Sequence, residues 1–142
     1  MKTKLVFTIF LIVTFLQLSF SQKIELKKGK ILLDNKEILN YTVENRQTEF
    51  TISNLSGEEL LFVIDYENQT TGYRADDYYK INFTNNKIKL ESSNLQATWK
   101  KFVEWLYKNK VFDNNGIFIL EKIEIFKETY DEKLSEKTIN IK

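Results

Sequence analysis

Apolar and polar residues alternate along the chain from residue 24 to residue 92, and Gly, Asn and Asp interrupt the alternation at intervals. A period of two residues with turn residues between the runs is typical of β-strands joined by short connections. At Gly29 the alternation shifts by one residue, which predicts a β-bulge. Residues 34–36 predict a turn, but two-residue and three-residue loops would give different pairings, so the register there stays open.

Two later hairpins have loop residues that agree with the apolar pattern. In the first, Gly57 suits the left-handed position of a three-residue loop between Asn54 and Glu58. That loop predicts that Ile52 lies opposite Leu60 in the neighbouring strand.

In the second hairpin, Asn85 and Asn86 suit a two-residue turn with positive φ at both positions. This turn sets Phe83 opposite Ile88. Residues 60–64 are apolar at every position, which predicts a central strand covered on both faces.

The hydrophobic period changes after residue 92. Ser93, followed three residues later by Gln96, forms a capping-box pattern and predicts a helix over about residues 94–109. Apolar residues then recur at helical spacing, and charged residues occupy the opposite side. The predicted buried stripe is Leu95, Trp99, Phe102, Val103 and Leu106, and the predicted solvated side is Lys100, Glu104 and Lys108.

Residues 118–131, with Ile117 before them, fit two patterns. A strand parity is shared by Ile117, Ile119, Ile123 and Ile125, and a helical face is shared equally well by Ile119, Ile123, Phe126 and Tyr130. The length of the segment and its many Glu and Lys residues favour a helix. Residues 134–141 could form a short terminal strand or a frayed end. The sequence therefore predicts an α+β fold: an antiparallel sheet of about five to six strands over residues 23–92, with two helices packed on one face and a short C-terminal strand left open.

The first 21 residues have the pattern of a secretory signal peptide. Lys2 and Lys4 precede an uncharged apolar run of twelve residues, and Ser19 and Ser21 are the small residues that signal peptidase reads. The run is shorter than the roughly 20 apolar residues that a membrane-spanning helix needs. We therefore predict cleavage before Gln22 and a single domain over residues 22–142 that is periplasmic or secreted, with no stable membrane anchor.

Composition excludes several classes of chemistry. The chain has neither His nor Cys, so Ser-His-Asp triads, cysteine proteases, c-type haem attachment and imidazole or thiolate metal sites are ruled out. Without Lys2 and Lys4 the mature chain has nineteen basic and twenty acidic residues, a net charge of −1. A near-neutral chain has no electrostatic footprint for nucleic acid or anionic lipid.

The longest stretch without periodicity is residues 67–77, between two predicted strands. It holds Tyr73, Arg74, Asp76 and Asp77, which offer a stacking face, a forked donor and two acceptors of the kind used for sugars or peptides. We take these four residues as the candidate ligand-binding site. The alternative is a solvated hairpin tip whose tyrosines cover the sheet edge.

The acidic residues fit two further kinds of chemistry. Asp65, Glu67, Asp76 and Asp77 could converge on Ca²⁺, but the spacing of an EF-hand loop is absent, so no metal and no cofactor are predicted. Paired carboxylates could also hydrolyse glycosidic bonds. That reaction needs a deep cleft, which a chain of this size rarely forms.

Trp105 is the second candidate for a function. At 100° per residue it lies away from the predicted buried stripe of its helix, so it could mark a partner surface, since Trp is enriched at binding hot spots. The alternative is that it packs under a neighbouring loop or helix.

Several short motifs resemble a group of small, uncharacterised exported proteins of Bacteroidota. They are residues 28–34, residues 52–58, Phe126 with residues 130–131, and residues 135–138. The resemblance implies export but no known activity, and it transfers no site residue. The sequence as a whole predicts a non-catalytic binding or accessory protein of the cell envelope, with an unknown envelope or extracellular partner. The alternative is a small carboxylate-dependent hydrolase acting on glycans.

Overall fold

The computed structural model describes residues 22–66 and 77–137. They form one antiparallel sheet of seven strands in which each strand pairs with its neighbours in the sequence. This confirms the predicted α+β class, with one to two more strands than predicted. The strands are β1 (Ile24–Lys27), β2 (Lys30–Leu33), β3 (Lys36–Glu44), β4 (Glu49–Ser53), β5 (Glu59–Tyr66), β6 (Tyr78–Phe83) and β7 (Ile88–Ser92).

Three helices follow the sheet in the described part of the chain. They are α1 (Trp99–Lys108), α2 (Leu120–Tyr130) and the single turn α3 (Leu134–Lys137). The helix that the ambiguous segment favoured is therefore present as α2. Residues 134–137 are helical rather than a strand, and residues 138–141 of the proposed C-terminal strand lie outside the described residues.

The core lies between one face of the sheet and the helices. Phe50, Leu61, Val63 and Phe83 on the sheet are fully buried, as is Phe102 on α1. These residues belong to a single buried cluster that also includes Ile123 and Phe126 of α2. Because the chain has no disulfide, this apolar contact between layers is the main source of its stability.

The additional strand comes from Gly29, where we predicted a bulge. Lys28 and Gly29 have φ values of +51° and +77°, and they form a tight turn that joins β1 to β2 with Lys27 opposite Lys30. A two-residue turn between paired strands moves the apolar residues from even to odd positions, and a bulge has the same effect on the sequence pattern. The pattern alone therefore did not distinguish the two structures.

The first predicted hairpin has the expected loop but a different register. Asn54 N–H donates to the Glu58 carbonyl at 2.9 Å, and Gly57 has a φ of +93°. However, the register shifts beside Ile52, which lies opposite Leu61 and not opposite Leu60. The bulge next to the loop absorbs one residue, so the prediction was wrong by one position.

The second predicted hairpin has the expected register but a different turn. Phe83 pairs with Ile88, as predicted. Positive φ occurs at Lys87 (+53°) and at neither Asn85 nor Asn86.

The prediction that residues 60–64 are covered on both faces was wrong. Leu61 and Val63 are buried against the helices, whereas Phe62 and Ile64 are partly exposed and lie on the opposite face. The single turn α3 reaches the β7 edge of that face, where the Ser135 N–H donates to the Glu91 carboxylate at 2.6 Å, and β5 itself has one buried and one partly exposed side.

Helix α1 begins at Trp99, five residues after its predicted start. Its N-cap is Thr98, whose side chain accepts from Lys101 N–H, and the capping box is not formed. The reason is that Ser93 and Gln96 have other partners: the Ser93 amide and hydroxyl donate to Glu132, and Gln96 donates to Asp65. Phe102 and Leu106 are buried, while Lys100 and Lys108 are exposed and Glu104 is partly exposed, as the helical spacing predicts.

Candidate functional site

The connections after β3, β5 and β7 emerge at the same end of the sheet, because neighbouring strands are antiparallel. Here the turn at residues 45–48 approaches the end of β5, where Asp65 N–H donates to the Thr48 carbonyl at 2.7 Å. Residues 93–98 reach the same place before α1 begins. We call this region the loop end of the sheet. The chain segment between Tyr66 and Asp77, which contains most of the candidate loop, also leaves from it.

A pocket of about 310 Å³ lies at the loop end, on the helix side of the sheet. Its walls come from the turn before β4, from the ends of β5 and β6, and from the start of α1. It is lined by Arg46, Gln47, Thr48, Asp65, Tyr79, Ala97, Thr98 and Trp99.

Trp99 forms the aromatic wall of this pocket. Its ring stacks on Phe50, with centroids 4.7 Å apart and planes 9° apart, and on Tyr79, with centroids 5.0 Å apart. The two sheet residues are buried, and Trp99 is only partly buried. The indole is therefore held in one orientation by the core and still borders the pocket.

Tyr79 connects the sheet to the segment that precedes α1. The Tyr79 hydroxyl donates to the Ala97 carbonyl. The Ala97 N–H in turn donates to the Tyr79 hydroxyl oxygen at 3.3 Å. Burial raises the pKa of the Tyr79 phenol to about 12; the hydrogen bond to Ala97 opposes this rise and Asp65 adds to it. The phenol is therefore protonated at physiological pH and acts as a fixed donor in the pocket wall.

The turn at the other side of the pocket has an unusual backbone. Asn45, Arg46 and Gln47 have φ values of +47°, +57° and +75°, so three successive residues with side chains are left-handed. Each such residue costs roughly 1–2 kcal/mol. The Thr48 hydroxyl stabilises the turn by donating to the Asn45 carbonyl at 2.7 Å. Strain of this kind is concentrated at functional sites.

Arg46 is the cation of the pocket. It is exposed, and within residues 22–66 and 77–137 no carboxylate lies within ion-pair distance of it, since the five ion pairs found there all involve Lys. Asp65 lines the same pocket but accepts a hydrogen bond from Gln96 Nε2 at 2.8 Å. The guanidinium is thus available to a ligand.

The predicted loop site can be placed only in part. Asp77 lies directly before β6 and is partly buried at the loop end, while Tyr73, Arg74 and Asp76 lie outside the described residues. Whether the four come together stays a prediction. Asp65, one of the four carboxylates considered for Ca²⁺, lines the pocket. No group of three possible metal ligands occurs within the described residues.

Trp105 lies on α1, partly buried, and packs against the core cluster. Its backbone carbonyl accepts from Asn109 Nδ2 at 2.8 Å, which helps to end the helix. Part of the indole remains accessible, and its role as a partner surface stays a prediction.

Glu25 and Glu132 have clearly shifted pKa values, and both shifts are downward. A hydrogen bond and the charge of Lys23 lower the pKa of Glu25. Burial would raise the pKa of Glu132, but hydrogen bonds from Ser93, Ser92 and Asn94 outweigh it and lower the pKa. A general acid for glycoside hydrolysis needs a raised pKa, so neither residue suits that role.

Sequence reasoning missed Arg46 as a site residue and assigned Trp99 only to the core. One signal was available: Arg46 and Arg74 are the only two arginines beside nineteen lysines. Arginine offers a planar, forked donor that lysine lacks. Trp99 could not have been found, because its helical position fits burial equally well.

No known family model, curated protein or solved structure matches this chain. Within the described residues, none of the helices has the length and hydrophobicity needed to cross a bilayer.

Proposed function

We propose that this is an exported, non-catalytic binding or accessory protein of the cell envelope, and that it binds its ligand at the loop-end pocket. The observation that carries the proposal is the convergence on one pocket of a fixed indole and an arginine that has no carboxylate partner among residues 22–66 and 77–137. The core holds Trp99 through its stacking on Phe50 and Tyr79, and Arg46 is displayed on the exposed turn between β3 and β4, as binding groups commonly are on loops.

The chemistry of the pocket favours a small ligand with an apolar or ring face and an anionic or hydrogen-bonding group. Trp99 borders the pocket with the part of its indole that stacking on Phe50 and Tyr79 leaves uncovered, which is an apolar edge. Arg46 offers charge-assisted, bidentate hydrogen bonds. The volume of about 310 Å³ lies at the small end of ligand pockets, so a single sugar residue or a peptide side chain fits it better than a long polymer.

The test is a binding screen by NMR with the chain that begins at Gln22, using soluble envelope glycan fragments and short peptides. A ligand of this pocket should shift the Trp99 indole N–H resonance. Arg46→Ala should weaken its binding at least about tenfold, since a charge-assisted hydrogen bond is worth roughly 1.5–3 kcal/mol. Lys108→Ala removes the same charge at the far end of α1 and should leave binding unchanged. Equal effects of the two substitutions, or no shift at Trp99, would contradict the proposal.

The candidate loop is tested in the same assay. Replacing Tyr73 and Arg74 together should abolish binding while the melting temperature stays nearly unchanged. Unaltered binding in that variant would limit the site to the described pocket and return the loop to a solvated hairpin tip.

Export is tested by the intact mass of the protein recovered from the envelope or the medium. Processing should give a chain that begins at Gln22, either as Gln or as its cyclised form. A full-length chain retained in the membrane would overturn this part of the proposal.

A further inference from the structure

We infer that Gln22 of the mature chain is a modification site, where the residue cyclises to pyroglutamate while Tyr107 holds its side chain. The inference rests on the proposed export, because cleavage before Gln22 is the step that frees its α-amino group. The Tyr107 hydroxyl donates to Gln22 Oε1. Both residues line two adjoining pockets of about 630 and 620 Å³, so there is room beside the side chain for the five-membered ring.

The residue that follows Gln22 is fixed by the backbone. The Lys23 N–H donates to Asp34 Oδ1 at 2.8 Å, and the Asp34 N–H donates to the Lys23 carbonyl at 3.0 Å. Chain ends are commonly loose unless contacts of this kind tie them down. Gln22 is therefore held on one side by the β1–β2 hairpin and on the other by the contact of its own side chain with α1.

Tyr107 is a positioned donor. It packs against the core cluster, and its ring centroid lies 5.6 Å from that of the buried Phe112. Burial raises the pKa of the Tyr107 phenol, and the negative charge of Asp34 adds to the rise. The phenol therefore keeps its proton at neutral pH. It has one proton to donate, and a second acceptor, Asn114 Oδ1, lies 2.7 Å from the hydroxyl.

Cyclisation needs no other reactant. A free α-amino group is partly unprotonated near neutral pH, and its nitrogen attacks Cδ of the Gln22 side chain. The Cδ–Nε2 bond then breaks, and Nε2 leaves as ammonia with the proton that the α-amine loses. Negative charge develops on Oε1 in the tetrahedral intermediate, which is the atom that Tyr107 contacts. A donor already aimed at a developing oxyanion lowers the barrier. In the product, Oε1 is the lactam carbonyl and still accepts from Tyr107.

The charges around the two pockets favour a neutral terminus. Two carboxylates line them, and both have partners: Glu104 pairs with Lys100 at 3.4 Å, and Asp113 accepts from two backbone N–H groups at 2.8 and 2.9 Å. Lys110 is exposed there and forms no ion pair within residues 22–66 and 77–137. A nearby like charge disfavours an ammonium group, and the lactam carries no charge.

The intact mass of the protein recovered after export tests the modification. We expect a chain that begins at residue 22 and is lighter by one ammonia than the sequence from Gln22 onwards. A stable chain with unmodified Gln22 would overturn this inference and leave the proposed export intact. A full-length chain would overturn the export, and the inference with it.

The rate of cyclisation tests the role of Tyr107. A chain released from a cleavable leader immediately before the measurement begins with uncyclised Gln22, and mass spectrometry follows the loss of ammonia. One donor to an oxyanion is worth about 10²–10³ in rate in an enzyme site, so Tyr107→Phe should slow cyclisation at least about tenfold. Asn114→Ala removes only the competing acceptor. It is the matched control and should cyclise no more slowly than the unsubstituted chain.

Urea separates the effect of the folded site from the intrinsic reactivity of Gln22. In urea, the unsubstituted chain and Tyr107→Phe should cyclise at the same rate, because the contact with α1 is lost. Circular dichroism shows that both chains are folded when urea is absent. Equal rates in the folded state, or a difference that persists in urea, would contradict the role of Tyr107.

Discussion

Gly116 lies in the connection between α1 and α2, against β3 of the sheet. Its φ is +79°, and a Cβ atom there would come within 2.5 Å of the Ile38 carbonyl oxygen and 2.9 Å of Leu39 Cγ. The Gly116 N–H donates to the Asp113 carbonyl at 3.0 Å. A glycine is thus required twice, for the backbone conformation and for the approach to β3.

Gly116→Ala should lower the free energy of unfolding by more than about 2 kcal/mol, because strain at positive φ and a clash with backbone atoms add together. Gly57→Ala is the control: its φ is also positive, at +93°, but no atom lies within 4 Å of the added Cβ. That variant should lose only about 1 kcal/mol. Urea unfolding measures both, and equal losses would show that the close approach to Ile38 carries no cost.

At the scale of elements, helix α1 has one buried side and one exposed side. Phe102 is fully buried and lies edge-on to Phe50 and Tyr79, at centroid distances of 6.4 and 5.6 Å. Lys100 is exposed and pairs with Glu104 at 3.4 Å, one helical turn later. The helical spacing in the sequence therefore predicts the face of this helix correctly, although it does not predict its first residue.

Phe102→Ala should destabilise the protein by about 3–5 kcal/mol, since it leaves a cavity among aromatic rings. Lys100→Ala should change stability by no more than about 0.5 kcal/mol, because an exposed pair four residues apart contributes little. Denaturant unfolding of the two variants side by side checks this. Comparable losses would mean that the helix presents a different face to the sheet.

The strands were harder to predict than the helices, and the reason is geometric. A strand register depends on single residues: the turn at Gly29 reverses the parity, and the bulge beside Ile52 shifts it by one. Both features look alike in an apolar pattern of period two. Where no such irregularity occurs, as between Phe83 and Ile88, the pattern predicts the pairing correctly.

The segment after α2 closes the last edge of the sheet through carboxylates. Glu132 accepts hydrogen bonds from the Ser93 N–H at 2.6 Å and the Ser92 hydroxyl at 3.0 Å, and Asp131 accepts from the Glu91 N–H at 3.0 Å. Free donors at a sheet edge invite unwanted pairing. The two acidic residues occupy these donors and bind the segment to β7.

Acid should weaken this contact. Burial alone would raise the pKa of Glu132, but the hydrogen bonds hold it below the usual value of 4.5. A depressed pKa in the folded state means that the stabilisation is present above about pH 4.5 and is lost as the pH falls through the lower, folded value. Glu132→Gln should therefore flatten the loss of stability below pH 4.5, while Glu128→Gln, on the exposed side of α2, should not. Thermal melts between pH 3 and 7 measure the difference, and identical pH profiles of the two variants would exclude the contact as its source.

At the scale of the whole molecule, the sequence prediction and the pocket share only the end of the sheet at which they lie, since the loop at residues 67–77 connects β5 and β6 at the loop end. The pocket itself was not predictable, because Arg46, Asp65 and Trp99 come from three separate segments that the meander and the start of α1 bring together. Neither strand parity nor helical spacing describes how the end of one hairpin approaches the start of a distant helix. The strained turn at Arg46 is also invisible in the sequence, since its residues have side chains and no glycine.

The cooperativity of unfolding tests the prediction that residues 22–142 form a single domain. In the described residues, the sheet and the helices share one buried cluster. The chain has no disulfide that could keep one part folded after the rest has unfolded. Unfolding of the chain that begins at Gln22 should therefore be a single transition. Far-UV circular dichroism, which reports the sheet and helices, should coincide with the fluorescence of Trp99 and Trp105, which reports the contact of α1 with the sheet. Two separate midpoints would mean that α1 leaves the sheet before the strands unfold, and that the layers do not form one domain.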